Sequence, residues 1–197
     1  MEFALCLPIL VILTLWAFEL INYAFVREQI SQLALQIADN ASRIGTQNTV
    51  QTQIDEKQIN DLLTGATLQA GKLNISGSGR IILSSLEIDP NSPNGQYIHW
   101  QRCLGSAAIS SSYGVEGDGK GNTSVVGMGP TNGKVKALPG IPAMFVEVGY
   151  KYQPVVSASL APSDTMREIA AMLVRDNRDT SGTGVNPVAG VAASRCN

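Results

Sequence analysis

From Phe3 to Phe18 every residue is uncharged, and between Phe3 and Val26 the only charge is Glu19. As a helix that segment rises about 36 Å, enough to cross a hydrocarbon core of about 30 Å. A cleaved secretory signal would want a basic start and a small-residue cleavage site; here Glu2 opens the segment, so a retained membrane helix fits better. Beyond Arg27 the pattern changes. Ile30, Leu33, Ile37, Ala41 and Ile44 recur at steps of three and four, with Gln, Ser and Asp between them. That is an amphipathic stripe. One continuous helix is therefore expected from near Glu2 to about Ile44, stopped by Gly45. Pro8 removes a backbone bond in its first half and should kink or loosen that turn. The second half offers one sticky face, to a domain on the same chain or to neighbouring helices.

After the helix, residues 46–54 are polar and read as a linker or turn. DEKQINDLLTGATLQ (55–69) places Ile59, Leu62, Leu63 and Ala66 on one side and predicts a short amphipathic helix. GSGRIILSSLEID (77–89) predicts a strand, PNSPNG a turn, and QYIHWQRC (96–103) the hairpin partner. Gly- and Ser-rich sequence fills 105–142, broken by SVVGM (124–128), which reads as a short edge strand. AMFVEVGYKYQPVV (143–156) alternates as a half-buried strand does. MREIAAMLVRD (166–176) is apolar on both faces and is assigned to a strand at the end of the sheet. The sum is an α+β chain: residues 1–45 form the helix, with a membrane part at about 3–26 and an amphipathic part at about 27–45. Residues 46–197 form a globular domain around a small antiparallel sheet.

Composition narrows the function. With 14 Lys and Arg against 16 Asp and Glu, the net charge is −2, and no basic surplus exists to hold a nucleic-acid backbone. Of the three cysteines, Cys6 lies in the apolar head and reads as a small hydrophobe. Cys103 and Cys196 remain as a pair whose bond would close a long loop and require an oxidising compartment.

Signals for chemistry are sparse. The single histidine, His99, alternates with Gln101 on a strand whose other face is expected to carry Ile98 and Trp100, so it reads as a strand-surface residue. No G-x-S-x-G elbow accompanies it, and GMGPTNGK lacks the first Gly and the Ser/Thr of a phosphate loop. The chain is accordingly read as a non-enzyme without a cofactor. EGDGKGN spaces Glu116, Asp118 and Asn122 as an oxygen-seeking cation could use them, but lacks the closing bidentate Glu; a flexible turn is the default, with calcium as the minor alternative. Three Asn-x-Ser triplets, at Asn40, Asn74 and Asn122, are too short to weigh. Two patches stay open between alternatives. Trp100 is either a core anchor or an interface residue, and Arg175, Asp176, Arg178 and Asp179 form either a solvated ion network or a subunit contact.

The words EFALCLP and FELINYA resemble the N-terminal signature of TadE-like proteins, the pseudopilins or minor pilins of the bacterial tight-adherence pilus system. YIHWQRC, MFVEVGYKYQP, VRDNRD and the final Cys extend the resemblance in scattered patches. It implies a pilin-like domain on a helix that assembles with other pilin or minor pilin subunits and with an inner-membrane platform. It also implies a single-pass inner-membrane location with the domain periplasmic, or a place in the extracellular pilus, and a prepilin peptidase acting on an upstream leader. Cell adhesion and secretion are the associated processes. On this resemblance Glu2 and Phe3 belong to the assembly signature. Glu2, favoured at a helix start, would set register by pairing with a neighbour's amino terminus. Glu19 matches a late acidic residue of the family; it is expected either at headgroup level or paired with another molecule. The competing reading is a membrane-anchored periplasmic binding module, holding calcium or a surface ligand at 114–133.

Overall fold

A computed structural model describes residues 2–47 and 50–196; the side chains of Glu2, Ala4, Leu5, Pro93 and Asn94 lie outside the described set. Helix α1 spans Glu2–Arg43, as the sequence pattern requires, and Pro8 lies within it without ending it. Ile30, Leu33, Ala34, Ile37, Ala38 and Ala41 are all buried, so the amphipathic stripe is the face that packs. Its partner is the domain of the same chain. Gly45 follows with φ 140°, a conformation that residues with a Cβ rarely adopt, and the helix stops there.

The polar stretch after α1 is more ordered than a linker. Thr46–Gln47 (β1) and Thr52–Gln53 (β2) pair antiparallel, and Thr52 also exchanges backbone hydrogen bonds with Asn177 and Asp179 far along the chain. That distant partner is why local sequence did not reveal the strands. Helix α2 (Glu56–Gln69) starts on Asp55 with a reciprocal capping box. The Asp55 carboxylate accepts from the Gln58 N–H at 2.8 Å, and the Gln58 side chain accepts from the Asp55 N–H at 3.1 Å. Ile59, Leu63 and Ala66 are its buried face. A single turn, α3 (Ile75–Ser78), leads into the sheet.

The sheet has four antiparallel strands: β3 (Gly79–Asp89), β4 (Ser92–Leu104), β5 (Ala143–Lys151) and β6 (Thr165–Leu173), in the order β4-β3-β5-β6. The hairpin and the last strand fall where the residue pattern put them. Three expectations are corrected. β5 ends at Lys151 rather than running to Val156, and it is buried on both faces rather than half-buried, because a core cluster lies on each side of it. SVVGM forms only isolated bridges, Val125 to Gln96 and Met128 to Val135, because no neighbouring strand offers a continuous ladder. In β4 a bulge falls at His99: Ser85 pairs with Trp100, but Leu86 pairs with Ile98. The extra residue reverses the side-chain alternation. Trp100 consequently joins the core beneath the helices, as an anchor, and Ile98 joins the cluster on the opposite face.

The edge strand β4 is covered at Arg102 and Cys103 by the C-terminal tail, and at Gln96 and Ile98 by the Gly-rich segment. The Cys103 N–H donates to the Ser194 carbonyl at 2.7 Å, and Cys103 is disulfide-bonded to Cys196. Both devices remove an open strand edge that another chain could otherwise pair with.

Candidate assembly site: the bare helix and its joint with the domain

Every described side chain between Phe3 and Phe18 is exposed, including Phe3 at 84% and Phe18 at 60%. Contiguous apolar surface on this scale marks a membrane or partner contact. Among the described residues, α1 is the one helix long and apolar enough to cross a membrane. Of the residues assigned to assembly, Phe3 stands at the free end of this surface, and the Glu2 side chain lies outside the described residues.

Glu19 meets groups of its own chain through its carboxylate. It is completely buried, beneath its own domain, and is the first buried side chain along the described part of α1. The Tyr152 hydroxyl donates to its carboxylate at 2.5 Å, as do the backbone N–H groups of Val156 at 2.7 Å and Val155 at 3.3 Å. Tyr152 also accepts from the Asn22 side-chain amide at 2.6 Å, and Tyr23 packs edge-on against its ring at 5.1 Å. One tyrosine therefore partners both the carboxylate of Glu19 and the amide of Asn22 within the apolar stretch. Two turns on, Arg27 and Glu168 of β6 form a further link at 2.7 Å. A sequence signal for this joint existed. Glu19, Tyr23 and Val26 continue the stripe of Ile30, Leu33 and Ile37 at the same spacing, so the docking face begins at Glu19 rather than after Arg27.

A second set of charges fastens the tail. The buried Arg102 guanidinium forks onto Glu56 at the start of α2, with Nη2–Oε1 at 2.5 Å and Nε–Oε2 at 3.0 Å, and its Nη1 reaches Glu116 at 2.9 Å. Arg195 meets the other oxygen of Glu116 at 3.1 Å, next to the Cys103–Cys196 bond. This geometry bears on the calcium candidates. Glu116 accepts from Arg102, Arg195 and the Gln101 N–H; Asp118 accepts from the Val115 N–H; Asn122 accepts from the Ser124 N–H. Each carbonyl or carboxylate closes its own turn or ion pair, and among the described residues no group of three His, Cys, Asp or Glu side chains is arranged to hold a metal.

Arg178 and His99 also depart from expectation. Arg178 is buried, and its Nη2 donates to the Ile44 carbonyl at 2.8 Å and towards Ser42 at 3.4 Å. A cation there satisfies the last carbonyls of α1 and opposes the negative end of its dipole, so this residue of the VRDNRD patch is a helix cap rather than part of a solvated network. His99 is covered rather than on a strand surface, because the segment around Gly182 folds over it. Nδ1 faces Glu87 Oε2 at 2.9 Å and Nε2 faces the Gly182 carbonyl at 3.2 Å. Burial alone would lower its pKa, but the bond and charge of Glu87 outweigh burial and raise it above the ordinary imidazole value. Both ring nitrogens face acceptors, which suits the doubly protonated cation. Ser85 donates to Glu87 at 2.8 Å rather than to the imidazole, so the cluster is not arranged as a nucleophile with its base.

Comparison of the chain with protein-family models, curated proteins and solved structures finds no match.

Proposed function

We propose that this protein is a membrane-anchored structural subunit that assembles through the bare half of α1, in the manner of a TadE-like minor pilin or assembly factor of a tight-adherence pilus. The observation that carries the reading is the division of one helix into two surfaces. One face of residues 19–43 packs against the protein's own sheet and α2, whereas every described side chain of residues 3–18 is exposed. A helix apolar all round with no intramolecular partner is suited to lipid and then to the helices of neighbouring subunits. The Cys103–Cys196 bond supports placement of the domain in an oxidising compartment such as the periplasm or exterior.

In this reading the two acidic residues divide the work. Glu19 is saturated by Tyr152 and two backbone N–H groups, so its task is intramolecular. Glu2 is left as the charge that a correctly docked neighbour would have to satisfy, since an unpaired carboxylate among packed apolar helices is costly. The test is to shear filaments from living cells and quantify the protein in filament and envelope fractions, for wild type and Glu2→Ala. Wild type in the filaments, with the variant retained in the envelope at normal abundance, is the expected outcome. Both confined to the envelope, with filaments unchanged, would overturn the assembly role.

A further inference from the structure

The loop after β5 carries an unusual combination of position and composition. From Tyr152 to Ser163 it contains no charged residue, and it is bracketed by Lys151 and Asp164. Its backbone is pinned to α1 at Glu19 through the N–H groups of Val155 and Val156, while their side chains stand 62% and 38% exposed. One turn earlier on α1, Leu15 and Trp16 are also exposed, so apolar surface continues from the bare helix towards the loop.

With Glu2 at one edge of the hydrocarbon, helix arithmetic brings this loop to the other edge. The uncharged run between Glu2 and Glu19 comprises residues 3–18, which as a helix rise about 24 Å. A hydrocarbon core of about 30 Å is longer than that by about 6 Å, or four residues. The remaining distance is supplied by the helix from Glu19 to about Asn22, and that is the stretch on which Tyr152, Val155 and Val156 are seated. Within hydrocarbon a carboxylate must be satisfied internally, and a non-helical backbone is tolerated there only where its polar groups are buried in protein. The joint meets the first condition, because the Tyr152 hydroxyl and the N–H groups of Val155 and Val156 satisfy Glu19. Further along, the Leu160 and Ala161 N–H groups close their own turn, while the exposed remainder of the loop suits the bilayer's outer edge rather than its interior.

We propose that residues 153–162 form a second membrane contact, in which Val155 and Val156 enter the outer edge of the bilayer beside α1 and set the height of the domain above it. The occupant of this patch is lipid. The proposal rests on α1 being a membrane anchor, and its test keeps the two apart.

The full chain carrying Cys6→Ser, which removes the free thiol and leaves the disulfide, is given one reporter cysteine at a time: Val155→Cys, Val156→Cys, Leu13→Cys within the bare helix, or Val126→Cys in the Gly-rich segment. Each is labelled with a polarity-sensitive fluorophore and reconstituted in vesicles of phosphatidylethanolamine and phosphatidylglycerol, with and without lipids spin-labelled near the headgroup. The labels at 155 and 156 are expected to emit at shorter wavelength than the label at 126 and to lose fluorescence to the shallow quencher. A water-like, unquenched signal at both 155 and 156, with Leu13→Cys quenched by deeper spin labels, overturns the loop contact and leaves the anchor standing. No quenching at any site removes the anchor and this contact with it. A blue-shifted but unquenched signal at 155 and 156 assigns the patch to a second copy of the chain and overturns the lipid contact.

Discussion

The two faces of the sheet are held by different means. Beneath the helices, Ile81, Leu83, Trp100, Met144, Val146 and Val148 pack against Ile30, Ile37, Ile59 and Leu63 in one continuous apolar core. The opposite face has no helix. It is covered by the Gly-rich segment between β4 and β5, whose apolar anchors are few: Met128, Ala137, Tyr113 edge-on to Phe145, and Ile109 lying where a side chain at Gly149 would stand. Acids and amides do the rest. The buried Glu147 carboxylate accepts from the Ser111 hydroxyl, the Ser112 N–H and Arg167; Asp89 accepts from the Gly121 and Asn91 N–H groups; Gln96 pairs both ways with the Ala137 backbone. A helix satisfies its own backbone and can meet the sheet with hydrocarbon alone. An irregular segment cannot, so the sheet must supply partners for its N–H and C=O groups.

If this distinction is real, the faces should fail differently. The largest effect is expected on the helix face. Ile37→Ala removes a fully buried side chain between α1 and the sheet, and it should cost about 2–5 kcal/mol of global stability, read from denaturant unfolding in detergent. Glu147→Gln comes next. It keeps the shape but discharges the partner of Arg167, costing about 1–3 kcal/mol. Its signature should be local, with faster hydrogen exchange and proteolysis in 105–142 while β3 and β5 stay protected. Uniform loss of protection across the sheet would mean that the two faces form a single cooperative unit.

The smallest effect sharpens the contrast, because His99 is a polar fastening close to the helix-side core. Its folded pKa is raised, so the imidazolium contact with Glu87 contributes stability that is fully present below the unfolded value of about 6.5. That contribution is lost as pH rises through the folded value. His99→Gln should therefore lower stability by about 1 kcal/mol in mild acid, and the gap from wild type should close in alkaline buffer. A gap independent of pH would reduce His99 to packing. Lys120, whose charge opposes the imidazolium, and Arg178, which also senses Glu87, belong to the same electrostatic neighbourhood.

What could be read from the sequence divides along the same line. The stripe on α1 and the apolar face of α2 followed from helical period, the β3–β4 hairpin from apolar runs around a turn cluster, and β5 and β6 from their apolar residues. The Cys103–Cys196 pair followed from setting Cys6 aside in the apolar head. The polar joints did not follow. Tyr152 lies 133 residues from Glu19, and Arg178 lies 134 residues from the Ile44 carbonyl that it caps. Nothing local distinguishes Tyr152 or Arg178 from solvated residues, although the phase of the α1 stripe does put Glu19 on the docking face. The bulge at His99 was hidden for a related reason: strict alternation is the rule from which a bulge departs, and it moved Trp100 and Ile98 to opposite sides. Glu116 looked like a cation ligand because its two arginine partners come from β4 and from the chain's far end.

Because α1 passes without a break from its bare half into its docked half, it transmits rotational phase. Each residue of helix turns the chain by about 100° and advances it about 1.5 Å. One residue inserted between Phe18 and Glu19 would swing the whole sheet, its covered edge and its Gly-rich face by that angle about the helix axis, with every contact in the domain intact. In the proposed assembly, the count of residues between Glu2 and Glu19 would thus work as a dial, setting the compass bearing at which each copy of the domain faces outward from a bundle of such helices.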